Sequence, residues 1–499
     1  MKRLVHKGVL VPKTYEPKGF HIHVKGQNVA LTPKQEEMAV AWVKKLETEY
    51  VKDPVFVKNF FKDFCDALGL EGALRPDDFD FSEIVKFVSD EKLSKLNMSK
   101  EQKKKLAAER KAAREANREK YGYAEVDGGK VELGNYMVEP PCIFMGRGKH
   151  PLRGRWKEGA TESDVVLNLS PGAPTPPGNW KGRIWQSDSM WVAKWDDKLR
   201  GNEKYIWLSD SSAPKQEREI EKFDKALELA KTIDKLRCHI ESNLDSGDPK
   251  RRKIATVCYL IDTMKFRVGD EKDKDEADTV GATTLRPEHV KIRPDGQATF
   301  DFLGKDSIRF YKEIMLPESV ARNILELKKT SKSSLFKGVR SDNVGEFLGE
   351  VMPGITAKVF RTYYATKTVK EYLEKARVSK NDPDYLKKYA ATMANLEAAK
   401  ICNHKRKLPK KWHESLAKKM ERLKKLKSMK TKKSKERVNE LKVKIDTIKA
   451  TRDYNLGTSL KSYIDPRAYG KWFEKTGFDW KLFYSKTLQR KFSWVDWKE

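Results

Sequence analysis

The sequence is poor in cysteine, and its few cysteines are far apart. The five of them, at positions 65, 142, 238, 258 and 402, include no closely spaced pair. Zinc modules and disulfide frameworks both depend on closely spaced or dense cysteines, so both are disfavoured and a reducing compartment is expected. His21 and His23 share one face of a possible strand, but no third ligand is near them in the sequence. No metal site is therefore predicted.

Long apolar runs are missing as well. No stretch approaches about 18 consecutive apolar residues, no signal-peptide core follows Met1, and the last residues carry no prenylation cysteine. We therefore expect a soluble protein that is not secreted and has no membrane partner. A phosphate-binding loop of the form GxxxxGK[ST] is also missing, so no ATP site is predicted.

Positive charge is what the chain has in excess. Its 499 residues include 103 Lys and Arg against 73 Asp and Glu, a net charge of +30. An excess of this size indicates a polyanionic partner, for which nucleic acid is the first candidate. The competing candidate, an anionic membrane surface, is disfavoured by the missing apolar runs and prenylation cysteine described above. The length exceeds what one hydrophobic core usually supports, so two or more domains are expected.

Shifts in composition divide the chain into segments. A proline-punctuated arm precedes a helical block, which ends in a polar helix at residues 99–120; glycine, proline, tryptophan and β-branched residues then dominate up to about residue 215. Helical periodicity returns beyond that point. The sequence thus predicts an α+β multidomain protein with an arm at 1–19, a helical lobe at 20–115, a β-rich region at 116–215, a mainly helical region at 216–408, a coiled coil at 409–450 and a small helical domain at 451–499.

The predicted coiled coil is the most basic part of the chain. Residues 405–450 hold 19 Lys and Arg against 5 Asp and Glu, a net charge of +14. Apolar residues form one stripe from Trp412 to Leu426 and a second from Val438 to Ile448, and the residues between them are polar. This pattern predicts two helices that fold back on each other as an antiparallel coiled coil with basic outer faces.

Several basic residues occupy positions from which they could reach a phosphate. Arg267 lies at the C-terminal end of a predicted helix, Lys305 lies at the tip of a predicted hairpin, and Arg361 lies between aromatic residues in a helix that begins near Thr356. Arg147 lies between two glycines, where the backbone can approach a groove closely. Taken singly, each also fits a bland interpretation: a dipole-complementing arginine, a solvated turn lysine, a packed arginine or a plain tight turn.

A tyrosine near the C-terminus completes the set. Tyr463 precedes Ile-Asp-Pro, a context typical of a half-buried ring that closes a helix. Displacement at a phosphodiester needs an in-line nucleophile, groups that stabilise negative charge and a proton for the leaving oxygen. Arginine, histidine and lysine can do this without a metal, and a tyrosine–phosphate ester stores the bond energy, so rejoining would need no ATP.

Six separated segments, in this order, resemble those of eukaryotic-type DNA topoisomerase IB, and the similarity runs from about residue 11 to the end. The segments are FRVGDEK at 266–272, ADTVG at 277–281, FDFLGKDSIR at 300–309, TAKVFRTY at 356–363, CNH at 402–404 and LGTS at 456–459.

The resemblance implies specific roles. Tyr463 would form a 3′-phosphotyrosyl bond and release a 5′-hydroxyl; Arg267, Arg361 and His404 would hold the non-bridging oxygens, and Lys305 would protonate the leaving oxygen. Three further residues are assigned to DNA binding: Arg147, Asp306 and Lys358. The resemblance also implies a clamp around double-stranded DNA, formed by a helical cap lobe, a β-rich core and a catalytic domain of tyrosine-recombinase type. The enzyme would be a nuclear monomer that requires no cofactor, with divalent cations at most stimulatory.

The chain departs from the family pattern beside the tyrosine. The family places a lysine three residues before it and an asparagine directly before it, whereas here Lys461 is two residues before it and Ser462 directly before it. The asparagine position borders the camptothecin site in the family, so this departure concerns inhibitor sensitivity. Two alternatives stay open at this point: a tyrosine recombinase or integrase, which would cut defined sites as a multimer, and a non-catalytic basic scaffold that coats nucleic acid.

Overall fold

The structure is a computed structural model that describes residues 1–71, 74–146, 148–269, 280–409, 411–429 and 432–497, without the side chains of residues 306 and 432–434. The described chain forms two compact units, residues 1–215 and 216–497. Roughly half of the chain is helical, and each sheet has only two to four strands. No helix in the described part combines the length and apolar character needed to span a membrane. The six-segment division remains a prediction.

The first unit holds four helices and twelve short strands. The helices are α1 Pro33–Val43, α2 Pro54–Leu68, α3 Ser82–Asn97 and α4 Lys100–Tyr121. The strands are β1 Leu4–His6, β2 His21–Val24, β3 Gln27–Ala30, β4 Phe79–Asp80, β5 Tyr123–Val126, β6 Gly129–Glu132, β7 Cys142–Ile143, β8 Trp156–Lys157, β9 Val166–Asn168, β10 Gly182–Ile184, β11 Trp191–Asp196 and β12 Glu203–Trp207. The predicted polar helix is confirmed as α4.

Aromatic residues at helical spacing build the core of the N-terminal helices. Asp53 caps α2 by accepting hydrogen bonds from two backbone amides, and the helix then buries Phe56, Phe60 and Phe64 on one face. The ring of Trp42 from α1 stacks on Phe60, with ring centroids 4.6 Å apart. The sequence did not predict the small sheet of order β3-β2-β4 beside these helices.

In the β-rich part, strand-like runs of the sequence at residues 164–169, 189–194 and 204–208 predict three strands. Strands β9, β11 and β12 are confirmed, and they join β10 in a sheet of order β10-β9-β11-β12. A second sheet has the order β1-β5-β6, so the N-terminal arm, predicted to be merely extended, contributes a strand. The two sheets bury a common core that includes Leu4, Val165 and Ile206.

The second unit is mainly helical around one three-stranded sheet. Its strands are β13 Val290–Ile292, β14 Gln297–Gly304 and β15 Ile308–Met315. Its helices are α5 Ala213–Asn243, which begins at the end of the first unit, and α6 Pro249–Met264, α7 Glu318–Thr330, α8 Ser341–Gly349, α9 Ala357–Lys375, α10 Asp384–Ile401, α11 Trp412–Ser428, α12 Lys432–Ala450, α13 Leu456–Ser462, α14 Arg467–Thr476, α15 Trp480–Phe483 and α16 Lys486–Lys491.

The predicted hairpin with Lys305 at its tip is confirmed. Strands β14 and β15 pair antiparallel from Gln297–Met315 to Gly304–Ile308, and a single turn, Lys305–Ser307, joins them. The inner face of β14 buries Ala298, Phe300 and Phe302 in a core shared with helices α5 to α9. A packed hairpin base therefore supports the exposed turn.

The basic hairpin of α11 and α12 leaves the body of the unit and returns to it. The two helices pack against each other, and α12 also packs against α10 through buried Leu441 and Ile445. No described residue of α11 is buried. Lys405 and Tyr454 form an antiparallel bridge at the base of the hairpin. The chain therefore leaves and re-enters at one point, which matters for the site below.

Candidate active site

A cavity of about 100 Å³ in the second unit is lined by basic residues. They come from the end of α6, the β14–β15 turn, α9 and the segment after α10: Lys265, Arg267, Lys305, Arg361, His404 and Lys405. Phe266, Phe302 and Phe310 form its apolar wall. No Asp or Glu occurs among the described lining residues. The cavity is thus an anion site with little compensating charge from the protein.

Arg361 is buried, and its orientation is fixed by the main chain. One terminal nitrogen, Nη1, donates to the carbonyl of Lys265 (2.7 Å); the other, Nη2, donates to the carbonyl of Cys402 (2.8 Å) and lies 3.1 Å from His404 Nε2. Its Nε is buried and has no partner among the described residues. The guanidinium is therefore pre-organised, and its Nε remains an unused donor among the described contacts.

His404 follows α10 at a sharp bend of the chain. Asn403 has a left-handed backbone (φ 50°), which turns the chain so that the imidazole is buried beside Arg361. Burial, with the positive charges of Arg361 and Arg267, lowers the pKa of His404 to about 3, so the ring is neutral at neutral pH. Because arginine can only donate, Nε2 accepts and the proton resides on Nδ1. Nδ1 is buried without a partner among the described residues.

Arg267 is held by two crossing backbone segments. Helix α6 ends at Met264, earlier than the sequence suggested, and Arg267 lies beyond it, half-buried. The amides of Ala282 and Thr283 donate to the carbonyls of Arg267 (2.9 Å) and Val268 (2.8 Å). The crossing is so close that a Cβ on Gly281 would lie 2.5 Å from the Cα of Gly269. Glycine at both positions is therefore a geometric requirement.

The guanidinium of Arg267 lies close enough to the side chain of Tyr463 to interact with it electrostatically. Burial lowers the pKa of Arg267 from its usual value, and the neighbouring charge of Arg361 acts in the same direction, but arginine remains protonated. This positive charge therefore stabilises any negative charge that develops on the phenol oxygen.

Tyr463 closes helix α13 and is 5% exposed. The guanidinium carbon of Arg361 lies 5.0 Å from its ring centroid, and the imidazole centroid of His404 is also 5.0 Å away. Tyr463 does not itself line the cavity; its ring lies against residues that do. The structure thus brings Tyr463 together with Arg267, Arg361 and His404.

The remaining predicted residues are placed differently. Lys305 is exposed in the hairpin turn and lines the cavity. Lys358 is exposed in the first turn of α9 and is not among the lining residues. Arg147 and the side chain of Asp306 lie outside the described part of the chain, as do residues 270–279 of the sequence motifs.

The base of the basic hairpin explains how His404 and Tyr463 meet despite their separation in sequence. The amide of Asn455 donates to the carbonyl of His404 (2.7 Å), so the end of α10 adjoins the start of α13. Helix α13 is fixed to α10 by a buried pair, in which Ser459 Oγ donates to Asn395 Oδ1 (2.6 Å). The segment that carries Tyr463 is thereby held beside His404.

Sequence reasoning missed five polar residues that line the cavity: Lys265, Asn403, Lys405, Asn455 and Thr458. The two lysines are close neighbours of predicted residues, and Asn455 caps α13 by accepting a hydrogen bond from the amide of Gly457. An asparagine before a short helical segment is a recognisable cap signal, which could have identified Asn455.

Chemically, the arrangement suits a phosphodiester: a phenol against two guanidiniums and a neutral imidazole, beside a cation-lined cavity. Three family models match the chain: the DNA-binding fragment of eukaryotic DNA topoisomerase I at residues 1–208, its catalytic core at residues 211–456, and a C-terminal topoisomerase domain at residues 435–499.

Similar proteins agree with the family models. The chain is 34% identical to the mitochondrial DNA topoisomerase I of Rattus norvegicus, in a match that covers 99% of this chain and 91% of the rat protein. It is 33% identical to DNA topoisomerase 1 of Homo sapiens, covering 99% and 70%. DNA topoisomerase 1 beta of Arabidopsis thaliana is 34% identical, covering 99% and 58%, so the chain spans little more than half of that relative. The chain belongs to the eukaryotic DNA topoisomerase I family.

Proposed function

We propose that this chain relaxes supercoiled duplex DNA by cutting one strand, letting it rotate and rejoining it without ATP. One observation carries the proposal: Tyr463 is in contact with Arg267, Arg361 and His404, three groups from separate segments, beside a cavity lined by cations. Membership of the topoisomerase family supports it, because the relatives bear that name.

Cleavage begins with the phenol oxygen of Tyr463. It forms a bond to phosphorus as its proton passes to water, and the bond from phosphorus to the 5′-oxygen breaks. Lys305 gives a proton to that oxygen, which leaves as a hydroxyl. The product is a 3′-phosphotyrosyl bond. The positive charge of Arg267 stabilises the phenol oxygen as it gains negative charge.

Charge on the non-bridging oxygens is stabilised by Arg267, Arg361 and His404. Arg361 needs little reorganisation because two carbonyls already fix its guanidinium. His404 acts as a neutral donor through Nδ1, since its pKa of about 3 keeps the ring uncharged. Fixed donors in a half-buried site stabilise a transition state more than mobile water does.

Religation is the reverse reaction. The 5′-hydroxyl attacks phosphorus, Lys305 takes up its proton, and Tyr463 leaves and recovers a proton from water. The ester conserves the bond energy, so neither ATP nor another cofactor is required, and divalent cations at most stimulate. Torsional strain in the duplex drives rotation of the cut strand between the two steps.

DNA is held, in this proposal, as in a clamp. The cap lobe of residues 20–115 and the catalytic region close around the duplex, with Arg147, Asp306 and Lys358 at the DNA. The basic hairpin of residues 409–450 lies near the downstream duplex and slows rotation. The enzyme acts as a monomer in the nucleus.

The test is Tyr463→Phe, assayed for relaxation of a supercoiled plasmid and for a covalent adduct with nicked DNA. We expect relaxation and adduct to be lost while DNA binding persists. Tyr311→Phe, which changes an exposed tyrosine outside the cavity, is the control and should relax DNA normally. Full relaxation by Tyr463→Phe would refute the proposal, and relaxation that required a particular target sequence would favour a recombinase instead.

A further inference from the structure

A lysine distant in sequence holds the main chain directly before Tyr463. The ammonium of Lys222, on α5, donates to the carbonyl oxygen of Ser462 (3.2 Å). It also lies 2.8 and 2.9 Å from the two carboxylate oxygens of Glu219, one turn earlier on the same helix. Its side chain is only 15% exposed, and the ring of Phe223 lies beneath it at 4.0 Å. The ammonium is therefore held in one place by three acceptors.

The carboxylate that pairs with Lys222 also pairs with a second lysine. Glu219 also pairs with Lys491 of α16 (3.1 Å), so two lysine cations share one carboxylate. Burial lowers the pKa of Lys222 to about 8; the charge of Glu219 opposes this shift, whereas Lys491 and Lys358 reinforce it. The carbonyl dipole of Ser462 thus adds a third acceptor to the two carboxylate oxygens that stabilise this buried charge.

The contact matters because of where it lies on the backbone. The carbonyl of Ser462 and the amide of Tyr463 are opposite edges of one rigid peptide plane. The amide edge is held by the carbonyl of Ser459 (2.9 Å), and the carbonyl edge is held by Lys222. The orientation of this plane sets the direction in which the Cα–Cβ bond of Tyr463 leaves the chain.

We propose that Lys222 is a positioning residue for the nucleophile: it fixes the Ser462–Tyr463 peptide plane and thereby aims the phenol at the phosphate. The inference rests on the function proposed above. Lys222 contacts neither the phenol oxygen nor the reacting phosphorus in this scheme. Its effect is therefore on the rate of cleavage in the bound complex and not on the affinity for DNA.

The test measures single-turnover cleavage of a nicked suicide substrate at saturating DNA, with binding measured separately. Lys222→Met removes the donor but keeps most of the stem; we expect the first-order cleavage rate to fall about 10- to 100-fold, because small misplacements of a reacting group have effects of this order. DNA affinity should change less than about threefold, since one phosphate contact at most is altered. Lys222→Arg, which keeps a charged donor, should recover most of the rate.

Two matched variants separate positioning from general loosening of the fold. Lys225→Met changes a lysine on the same helix that also donates to a main-chain carbonyl, that of Gly354 (3.1 Å), and should cleave normally. Lys491→Met removes the second cation paired with Glu219. It should lower the melting temperature about as much as Lys222→Met does, yet leave the cleavage rate within about threefold, because the Ser462 contact remains.

The outcomes distinguish this inference from the proposed function. Cleavage by Lys222→Met at the parent rate would overturn the positioning role, as would an equal loss of rate in Lys491→Met. Melting temperature and circular dichroism identify any variant that fails to fold. If Lys222→Met does not fold, the cleavage rate of Lys222→Arg relative to the parent protein tests the positioning role instead. If Tyr463→Phe also cleaved DNA, the proposed function itself would be refuted. If Lys222→Met cleaved at the parent rate while Tyr463→Phe did not cleave, only the positioning role of Lys222 would be refuted.

Discussion

Two buried histidines, one in each compact unit, differ in whether both of their ring nitrogens are paired. His6, in the β-rich part, is paired at both ring nitrogens: the amide of Gly8 donates to Nδ1 (3.1 Å), and Nε2 contacts the carbonyl of Asn168 (3.0 Å). Burial lowers the pKa of His6 to about 4 and that of His404 to about 3, so both rings are neutral. His404, however, keeps a buried Nδ1 without a partner among the described residues.

Two buried cations repeat the contrast. Lys157 of the β-rich part pairs with both Glu139 and Asp197, so its positive charge is fully matched by carboxylates. Arg361 instead binds two main-chain carbonyls and a neutral imidazole. No carboxylate is among the described residues that line its cavity.

The difference teaches which buried groups serve the fold. Groups that are paired within the protein, such as Lys157, help to specify the structure. Removal of one partner of such a pair destabilises the fold, because the other partner is left buried without its counter-charge. Groups left with unused donors and uncompensated charge make folding less favourable, and they fit a site that an anionic ligand completes. This contrast can be broken experimentally, because the two kinds of cation should respond to substitution in opposite ways.

The largest effect is expected from Arg361→Lys. A lysine cannot reach two carbonyls and the imidazole at once, nor present a planar pair of donors to a phosphate. We expect the single-turnover cleavage rate to fall about 10³-fold, with little loss of thermal stability. Arg309→Lys, at an exposed arginine that pairs with Asp301, is the control and should cleave normally. A cleavage rate for Arg361→Lys close to the parent rate would contradict the distinction between a structural buried cation such as Lys157 and a functional one such as Arg361.

The opposite result is expected from Lys157→Met in the β-rich part. It removes the nearer cation partner of Asp197, which is 2% exposed, and leaves Lys204 at 3.7 Å. We expect the free energy of unfolding to fall by about 3 kcal/mol in urea titrations, while the relaxation rate of the folded enzyme is unchanged. Adding Asp197→Asn should restore part of the lost stability; no restoration would mean that the ion pair is not the cause.

Local signals in the sequence were sufficient for the elements that carry the site. Gly304 and Ser307 at a turn predicted the hairpin, and Thr356 correctly marked the start of α9. The end of α6 was predicted less well, because the chain turns at Lys265 in a left-handed conformation (φ 59°) that glycine would usually signal.

Contacts between distant segments could not be predicted from the sequence. Sheet β3-β2-β4 was missed because its strands are short and partly polar, and β1 because its partner β5 is far away in sequence. The close crossing of Gly269 and Gly281 and the bond from Lys222 to Ser462 have no local signature. The identities of the site residues came from the resemblance of whole motifs; their meeting in space came from the structure.

Acid should weaken the fold through His6. Its pKa is about 4 in the folded state and about 6.5 in the unfolded state, so the unfolded chain binds more protons as the pH falls between these values. Stability is therefore complete above about pH 6.5 and declines towards pH 4, by about 2 kcal/mol between pH 7 and pH 5.

The measurement compares the parent with His6→Gln, whose side chain is neutral throughout this range. The free energy of unfolding in urea is measured for both proteins at pH 7 and pH 5. Its decrease between these pH values should be smaller in the variant by about 2 kcal/mol, because the contribution of the carboxylates is the same in both proteins and cancels in the comparison. Equal pH effects in the two proteins would show that His6 does not remain neutral in the fold.

The smallest effect sharpens the comparison between buried and exposed cations. Lys358 is exposed in the first turn of α9, close in sequence to Arg361 but outside the cavity lining. A surface lysine that contacts one phosphate contributes through counterion release, so Lys358→Met should weaken DNA binding a few-fold and reduce the salt slope by about 0.9. Cleavage at saturating DNA should be unchanged. Lys375→Met, at the other end of the same helix, should leave both quantities unaltered. If Lys358→Met instead slowed cleavage at saturation, this exposed lysine would act on the chemical step as the buried arginine does, and exposure would no longer separate binding residues from catalytic ones.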